Sequence, residues 1–406
     1  MKKKLPINID DFKEIIERNY YYVDKTDFIH EILEKRVAVQ LIARPKKFGK
    51  TLNLSTLRYF LDKKDAEYNK KLFTRLNIET SRNMSKQGKY PVIYISMKNM
   101  PVETYDEFLE EMKKRIRDLY KEHIYIRESL NEYNRRKFDE ILLDEEKAFY
   151  KWTLMDLSIL LEKYYGEKAV ILIDEYDAPM LDAFGKESLG DIKSFLMSLY
   201  GSGLKDSPCA FAVITGTTRI IMDEVNNLAA STIFDKNLKY FGISEKELNE
   251  ILKEYDLIDN LEEIKKYYSG YVISGEIVYN PLEIFRYCLI PQVGDIYDTG
   301  LEKLLKNLIK KELELDLHGF SFRDFKEFCE EFKISWEESV ILIIEKNGKH
   351  WFSKFFTLLI AAGYLTINTK KSKNEDWNIR EFIVTNEKTK KDLLKIFREE
   401  LFTCRI

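Results

Sequence analysis

The sequence predicts an α/β fold in which helices cover both faces of a parallel sheet. Along the first 242 residues, short apolar runs rich in β-branched side chains alternate with longer segments whose apolar residues recur at helical spacing. This alternation favours parallel strands, because a parallel pair needs a long crossover that a helix usually supplies. The runs predicted as strands are residues 37–42, 91–97, 169–173 and 209–215, and the helices between them include residues 105–120, 157–165 and 189–200.

Composition excludes several classes of protein. The chain has 406 residues, of which 45% are apolar and 33% charged, and its net charge is only −3, so the overall balance does not indicate a nucleic-acid or membrane protein. The four cysteines and four histidines are scattered without metal-ligand spacing, which argues against a zinc site. No apolar stretch resembles a signal peptide or a membrane span, which predicts a cytoplasmic protein without a membrane partner.

The segment after the first predicted strand is typical of a phosphate-binding loop that opens a helix. The template is Gly, four free residues, Gly-Lys and then Ser or Thr. Gly49, Lys50 and Thr51 match its end, while Arg44 stands in place of the first Gly. Gly49 lets the backbone turn tightly and point N–H groups at an anion. We expect Lys50 to contact the β- and γ-phosphates of a nucleotide and Thr51 to place its hydroxyl on Mg²⁺.

Neighbouring side chains support this interpretation. Arg44, Lys46 and Lys47 give the loop a local positive potential that favours a polyphosphate over a neutral ligand. Phe48 and Leu52 flank the Gly-Lys-Thr tripeptide, and we predict that they also contact the nucleotide. The alternative is an ordinary helix start, because a bare Gly-Lys-Thr occurs often by chance.

Two acids end the third predicted strand. Asp174 and Glu175 directly follow an apolar run, and ligands of open α/β sheets bind outside the carboxyl ends of the strands. Asp174 is therefore placed to hold Mg²⁺, and Glu175 to polarise an attacking water. The alternative is a strand that merely ends in a charged loop. The presence of a phosphate loop in the same chain favours the functional interpretation.

Short motifs spread along the chain carry a family resemblance. They lie at residues 5–7, 21–26, 44–52, 173–179, 215–220, 268–271, 279–281 and 363–367. Together, and in this order, they resemble the bacterial AAA-ATPase-like family, over nearly the whole chain. Members of that family carry a basic residue at the position of Arg44. The resemblance implies that Thr215, at the end of the fourth predicted strand, senses the γ-phosphate, and a plain strand terminus is the alternative.

The resemblance also bears on nuclease activity. Many members of the family continue into a C-terminal nuclease domain of the PD-(D/E)xK type. In this sequence no strand-borne Asp followed by Glu-x-Lys is evident, so we interpret the chain as lacking that domain.

Two residues outside the loop and the acids are further candidates. Asp24 lies just before the loop, in a segment that commonly covers the base in nucleotide-binding folds, and its alternative role is to cap the next helix. Arg219 follows Thr215 by four residues. We expect it to face a nucleotide, in its own chain or in a neighbour, because that loop lies at the same edge as Lys50. A surface arginine is the alternative.

Beyond residue 242 the alternation of strands and helices ends. We predict an ATPase domain at residues 1–242, a helical lid or linker at 243–335 and a winged-helix-like module at 336–406. Winged helices bind DNA or dock onto a neighbouring domain, so the module is the expected site for a nucleic-acid or protein partner. An oligomer is also possible. The module is predicted from helices at 338–345 and 352–362 and strands at 364–368 and 381–385.

These features predict a P-loop NTPase that binds ATP and Mg²⁺ and hydrolyses ATP, with Glu175, Lys50 and Arg219 in catalysis. ATP is preferred over GTP because no Asn-Lys-x-Asp signature for guanine follows a strand. One alternative is a nucleotide-gated interaction module with negligible turnover, which the substituted first Gly makes credible. Another, a non-catalytic remnant or subunit of an ATPase–nuclease system, rests on family architecture alone.

We predict that Lys50→Ala weakens ATP binding by one to two orders of magnitude, because about 2 to 3 kcal/mol of charge-assisted contact to the phosphates is lost. Calorimetric titration with ATP measures the effect. An unchanged affinity would contradict the assignment of the phosphate loop.

Overall fold

The computed structural model describes residues 2–34, 37–145, 147–217, 228–231, 240–273, 276–293, 340–342, 363–367, 381–386, 388–389 and 391–392. The chain divides into two compact units. The sheet unit comprises Lys3–Ala43 and Gly49–Thr232, and the C-terminal unit comprises Met1–Lys2, Arg44–Phe48 and Ile233–Ile406.

The central sheet of the sheet unit consists of the parallel strands β1 (Val39–Ala43), β2 (Val92–Ser96), β3 (Val170–Asp174), β4 (Phe211–Gly216) and β5 (Leu228–Ser231). Their order is β2-β3-β4-β1-β5, which confirms the predicted parallel sheet. Strand β4 therefore separates β1, which precedes the loop, from β3, which ends in Asp174. The sequence does not predict β5, because Leu-Ala-Ala-Ser lacks the β-branched residues that mark the other strands.

The helices of the sheet unit are α1 (Phe12–Glu17), α2 (Asp27–Glu34), α3 (Lys50–Leu61), α4 (Ala66–Lys70), α5 (Tyr105–Glu122), α6 (Glu132–Leu142), α7 (Thr153–Tyr165), α8 (Ala178–Asp182) and α9 (Leu189–Leu204). Apolar side chains of α5, α6, α7 and α9 form one core with Leu41, Ile171 and Ile214 of the strands. Leu172 and Val213 point to the opposite face, because successive strand residues alternate. Helix α3 packs against β2, β3 and β4.

Among the described residues of the C-terminal unit, the strands form two antiparallel sheets. The first has the order β6-β8-β7, with β6 at Ile243–Ser244, β7 at Tyr271–Ile273 and β8 at Glu276–Tyr279. The second has the order β10-β11-β9, with β9 at Val340–Leu342, β10 at Leu365–Ile367 and β11 at Glu381–Val384. The helices are α10 (Glu245–Glu254), α11 (Leu261–Tyr268) and α12 (Pro281–Leu289). None of the helices described in either unit has both the length and the apolar character needed to cross a membrane.

The second of these sheets corrects one prediction and confirms another. Residues 338–345 are predicted as a helix, and this is wrong, because β9 lies within them and pairs with β11. The run Val-Ile-Leu-Ile-Ile is too short for periodicity to separate helix from strand, and its β-branched side chains favour a strand. Strands β10 and β11 confirm the two strands predicted for this region.

Other predictions for the C-terminal half are not tested. The helix at residues 352–362 and the helical pattern at 299–335 lie outside the described residues. The winged-helix-like module therefore stays a prediction, as do the domain boundaries at residues 242 and 335.

A buried ion pair lies within the C-terminal unit. Lys388 Nζ lies 3.1 Å from Glu283 Oε1 and 3.2 Å from Asp392 Oδ2, and the side chains of Lys388 and Glu283 are only 5% and 6% exposed. Burial lowers the pKa of Lys388, but the neighbouring carboxylates Glu283 and Asp392 outweigh this effect and raise it. The lysine is therefore held in its charged form.

We predict that Lys388→Met destabilises the C-terminal unit by about 3 to 5 kcal/mol, because it leaves the Glu283 carboxylate buried without its cation. Urea unfolding measures the effect, with the exposed Lys391→Met as the matched control. The double variant Lys388→Met/Glu283→Leu should recover much of the loss. A double variant as unstable as the single one would contradict this account.

Candidate functional site

The start of α3 has the geometry of an anion site. Gly49 is the N-cap residue and adopts a left-handed conformation, with φ 81° and ψ 17°, and no side chain caps the helix. A Cβ atom at this position would have no neighbour within 4 Å, so Gly is favoured here by its backbone conformation and not by crowding. The first turn contains no acidic residue. The N–H groups and positive end of the helix dipole at this point favour a bound anion.

Lys50 begins α3 and is only 4% exposed. Its charge lowers the pKa of Asp174, which indicates that the two charged groups lie near one another within the sheet unit. A buried lysine needs negative partners to remain charged. Phosphate groups at the start of α3 would add to the negative charge that stabilises it.

Asp174, at the end of β3, is fully buried and accepts hydrogen bonds from three hydroxyl groups. Thr215 Oγ1 donates to Oδ1 at 2.7 Å, and Thr51 Oγ1 donates to Oδ2 at 3.0 Å. Ser96 Oγ, at the end of β2, donates to Oδ2 at 3.3 Å. The structure thus brings together Thr51, Asp174 and Thr215, which the sequence selects separately.

The electrostatic balance at Asp174 is set by opposing effects. Burial raises the pKa of its carboxyl group, and the negative charge of Glu175 acts in the same direction. Hydrogen bonds from Thr215 and Thr51 and the charge of Lys50 lower the pKa, and the net shift is upward. A divalent cation would therefore be favoured at this carboxylate, because it stabilises the ionised form that burial disfavours.

Glu175 follows Asp174 in an unusual backbone conformation, with φ 49°. This left-handed region is uncommon for a residue other than Gly and persists where the surroundings impose it. Here Glu175 N–H donates to Thr215 Oγ1 at 3.3 Å, and Tyr176 N–H donates to the Thr215 carbonyl at 3.0 Å. The Glu175 side chain is partly exposed, unlike that of Asp174. The turn thus buries one acid and leaves the other accessible.

Residues 44–48, the first part of the loop, pack within the C-terminal unit. Arg44 is fully buried, and its guanidinium carbon lies 5.5 Å from the centre of the Phe241 ring. The Phe48 ring lies 4.9 Å from that of Tyr271. Lys46 is partly exposed and Lys47, with φ 68°, is exposed.

The roles of several predicted contacts remain untested. The structure gives Arg44 and Phe48 packing contacts, so their proposed nucleotide contacts stay predictions, together with those of Lys46, Lys47 and the half-buried Leu52.

The Asp24 carboxylate makes local hydrogen bonds before α2 and one bond to a residue distant in sequence. Its Oδ1 accepts hydrogen bonds from Thr26 N–H at 2.9 Å and Thr26 Oγ1 at 2.6 Å, and its Oδ2 accepts one from Asn77 N–H at 2.7 Å. Both Thr26, which precedes α2, and Asn77 lie outside that helix. The helix-capping role and the role toward the base therefore both stay predictions. Arg219 lies outside the described residues.

Sequence reasoning missed Ser96 and Gly216. Ser96 is a polar residue at the carboxyl end of a predicted strand, so the rule that selects Asp174 would also have found it. Gly216 follows Thr215, and a Cβ atom there would lie 2.4 Å from Tyr176 Cε1. Gly216 is therefore required for the close approach of β4 to the turn after β3, which no sequence pattern reveals.

The residues present fit Mg²⁺ better than a metal held entirely by protein. The described residues contain no group of three or more His, Cys, Asp or Glu side chains that could hold a metal ion. Mg²⁺ commonly uses one or two protein oxygens and completes its shell with phosphate oxygens and water. The Thr51 hydroxyl and the Asp174 carboxylate are such a pair.

Comparison with known proteins identifies the family. A family model described as Predicted AAA-ATPase matches residues 6–226, more than half of the chain. The chain belongs to this family. The match supports a P-loop ATPase-like protein that binds ATP, which agrees with the site at the start of α3.

Individual relatives and solved structures give less information about this chain than the family model does. An uncharacterized protein from the vnfD 5′ region of Azotobacter chroococcum mcd 1 is 29% identical over 321 residues, which cover 76% of this chain and 56% of that protein. The chain thus matches only about half of this relative's length. A Walker-type ATPase of Pyrococcus abyssi has a TM-score of 0.43 at 14% identity, and the ORC2 protein of Aeropyrum pernix, in ADPNP–ADP complexes, has 0.40 at 11%. Each alignment covers 97% of this chain and 98% of the solved chain. With TM-scores below 0.5, the fold rests on the strand order and register given above.

We predict that Asp174→Asn weakens binding of Mg-ATP more than binding of metal-free ATP, because Asn keeps a hydrogen-bond acceptor for Thr215 but loses the charge that holds the cation. Calorimetric titrations with Mg²⁺ and with EDTA separate the two affinities. Asp177→Asn is the matched control, since this buried acid binds the Thr217 N–H instead. Equal losses with and without metal in Asp174→Asn would mean that Asp174 is structural.

Proposed function

We propose that the protein is an ATPase that binds ATP together with Mg²⁺ and hydrolyses it. The observation that carries this proposal is the cluster at Asp174, where hydroxyls from α3 and β4 meet a buried carboxylate at the carboxyl edge of the sheet. This edge is where ligands of open α/β sheets bind. Gly49 is the N-cap of α3, and Lys50 and Thr51 are its first two residues. The residues proposed to bind the phosphates and the cation therefore lie in one short segment.

Substrate binding follows from these positions. Lys50 and the N–H groups at the start of α3 bind the β- and γ-phosphates. Thr51 and Asp174 hold Mg²⁺, which when bound offsets negative charge on the phosphate oxygens. Thr215 donates its hydroxyl to Asp174 and so fixes the orientation of that carboxylate.

Glu175 acts on the attacking water. Its carboxylate accepts a hydrogen bond from the water, whose oxygen bonds to the γ-phosphorus while the bond to the β–γ bridging oxygen breaks. ADP leaves with that electron pair, and the proton of the water passes to Glu175 and then to solvent or phosphate. Most of the rate enhancement comes from positioning and from stabilisation of charge. Arg219, in its own chain or in a neighbour, is proposed to stabilise the same charge.

A nucleotide-gated interaction module with negligible turnover is the second candidate. It is favoured by the packing of Arg44 and Phe48 within the C-terminal unit, because a ligand that shifts the loop would act on that unit. In this candidate a protein or nucleic-acid partner binds the C-terminal region and responds to ATP. For either candidate we infer a cytoplasmic location, where ATP is abundant.

Purified protein with labelled ATP distinguishes the two candidates. Phosphate release that depends on Mg²⁺ supports the ATPase. Tight ATP binding without phosphate release, alone or with DNA, supports the gated module.

We predict that Glu175→Gln leaves ATP affinity nearly intact but lowers turnover by about two to four orders of magnitude, the scale for loss of a positioned general base. The affinity should persist because this carboxylate binds the water and not the nucleotide. Calorimetry measures affinity and phosphate release measures turnover. Glu187→Gln, at an exposed position, serves as the control. Turnover within about threefold of the parent would rule out the general-base role.

A further inference from the structure

Residues 62–90 connect the end of α3 to the start of β2, at the amino edge of the sheet. The two ends of this segment meet, because Asp62 pairs with Tyr90 as an isolated bridge and Tyr90 N–H donates to the Leu61 carbonyl at 3.0 Å. The segment is thus a closed excursion from the sheet unit, and we call it the basic excursion. The candidate site at Asp174 lies at the opposite, carboxyl edge of the sheet.

One side of the basic excursion packs on the helices beside it. Leu72, Phe73 and Ile78 are buried. The Phe73 ring stacks on Phe12 of α1 with ring centres 5.0 Å apart, and it makes an edge contact with Phe60 of α3 at 5.2 Å. These apolar contacts anchor the basic excursion on α1 and α3.

The outer side of the basic excursion is positively charged. The segment contains eight Lys or Arg residues and four Asp or Glu residues, whereas the whole chain has a net charge of −3. All of the cations except Lys63 are exposed, and the exposed acids are Asp65, Glu67 and Glu79. Five of the exposed cations form no ion pair with any residue that the structure describes: Lys70, Lys71, Arg75, Lys86 and Lys89.

Helix α5 shows that unpaired cations are not the rule in the sheet unit. Each of its five Lys or Arg side chains lies between 2.9 and 3.5 Å from a carboxylate oxygen. In the basic excursion the charges of five cations stay uncompensated. A polyanion would offset their mutual repulsion and would gain entropy by releasing its own counterions.

Two parts of the basic excursion are held against each other. Gln87 Nε2 donates to the Ala66 carbonyl at 2.9 Å. Gly88 has φ 67°, and a Cβ atom there would lie 2.4 Å from Ala66 Cβ, so the two backbones are in close contact. The segment that carries Lys86 and Lys89 therefore packs on the start of α4.

The other lysine pair follows at the end of the same helix. Helix α4 runs from Ala66 to Lys70, and Lys71 comes directly after it. The rise of a helix places these two lysines about 6 to 8 Å along the axis from Ala66. The four lysines thus start from backbone positions within about 20 Å of one another, a span along which each strand of a duplex carries about six phosphates.

The composition of the outer side favours phosphate groups over a lipid surface or a protein partner. Within residues 62–90, all of which the structure describes, the one exposed large apolar side chain is Tyr68, and its hydroxyl is hydrogen-bonded to Glu17. A membrane-surface element needs apolar side chains that enter the headgroup region. Protein interfaces are rich in aromatic residues and poor in Lys, whereas four of the five unpaired cations are Lys. The shortage of exposed rings also argues against stacking on single strands.

We infer that the basic excursion binds the phosphate backbone of a nucleic-acid duplex without sequence preference. Contacts to phosphates position a protein on a duplex and carry no sequence information. Duplex DNA and duplex RNA share this backbone charge. The inference does not rest on the proposed ATPase function, because the basic excursion and the site at Asp174 lie at opposite edges of the sheet, and binding requires no ATP.

The test measures binding of the full chain, without ATP, to fluorescently labelled duplexes of DNA and of RNA of about 24 base pairs. Fluorescence anisotropy at about 50 to 200 mM KCl gives the affinity and its salt dependence. We expect at least one of the two duplexes to bind, with an affinity that falls steeply as salt rises, because each neutralised phosphate contributes about 0.9 to the slope of log K against log salt. Two unrelated sequences of that duplex should bind within about threefold of each other.

Two double variants remove the lysines in pairs. Lys70→Gln/Lys71→Gln and Lys86→Gln/Lys89→Gln should each weaken binding at about 50 mM salt by about 10-fold or more and reduce the slope by about 2. The thermal midpoint and the affinity for ATP should match those of the parent, because all four side chains are exposed. These two measurements separate loss of the surface from loss of the fold.

The matched control is Lys163→Gln/Lys205→Gln. It removes two exposed lysines that form no ion pair with a described residue and that lie in other parts of the sheet unit, so the change in net charge is the same. It should bind the duplex within about threefold of the parent. An equal loss in the control would show that only net charge matters and would overturn the inference.

Three further outcomes would overturn the inference and leave the ATPase proposal standing. One is that neither duplex binds at about 50 mM salt, although the protein binds vesicles that contain anionic lipid. The second is that both double variants keep the affinity and salt slope of the parent, which would place duplex binding elsewhere in the chain. The third is a strong preference for one of the two sequences, which contacts to the backbone alone cannot produce.

Discussion

The buried carboxylate of Asp174 is the constraint on which the site depends. Removing an ionised carboxylate from water costs several kcal/mol unless hydrogen bonds or opposite charges compensate. Three hydroxyls supply those bonds, and they come from α3, β2 and β4. The strands are parallel and β3 lies between β2 and β4, so the strand ends that carry Ser96, Asp174 and Thr215 are neighbours at one edge of the sheet. Helix α3 brings Thr51 to the same edge.

Much of the sheet unit was predictable because its signals are local. Apolar β-branched runs mark β1 to β4, and polar residues at their carboxyl ends mark Asp174 and Thr215. The signals fail where tertiary pairing decides the outcome. Strand β5 lacks β-branched residues and becomes a strand by pairing with β1. Strand β9 is an apolar run whose partner β11 is distant in sequence.

Arg44 shows a second limit on prediction from sequence. Its place in the loop motif suggests a cation directed at phosphate, and this role stays a prediction. The sequence does not indicate that its guanidinium is buried beside Phe241, almost two hundred positions away. Asp24 shows the same limit on prediction from sequence. The sequence allows Asp24 either role, and only the fold brings the Asn77 N–H to its carboxylate. Residue type indicates which interactions a side chain can make, and packing decides which one it makes.

The core behind the site fixes the conformation of the turn that carries Glu175. Gly216 has no side chain, so the Tyr176 ring packs directly against β4, and Tyr200 Oη donates to the Tyr176 carbonyl at 2.9 Å. These contacts hold the turn that gives Glu175 its left-handed backbone, a strain of about 1 to 3 kcal/mol that an isolated loop would release. An added methyl group at Gly216 would push the turn away from Thr215. The backbone conformation of the partly exposed Glu175 is thus determined by residues of the core behind it.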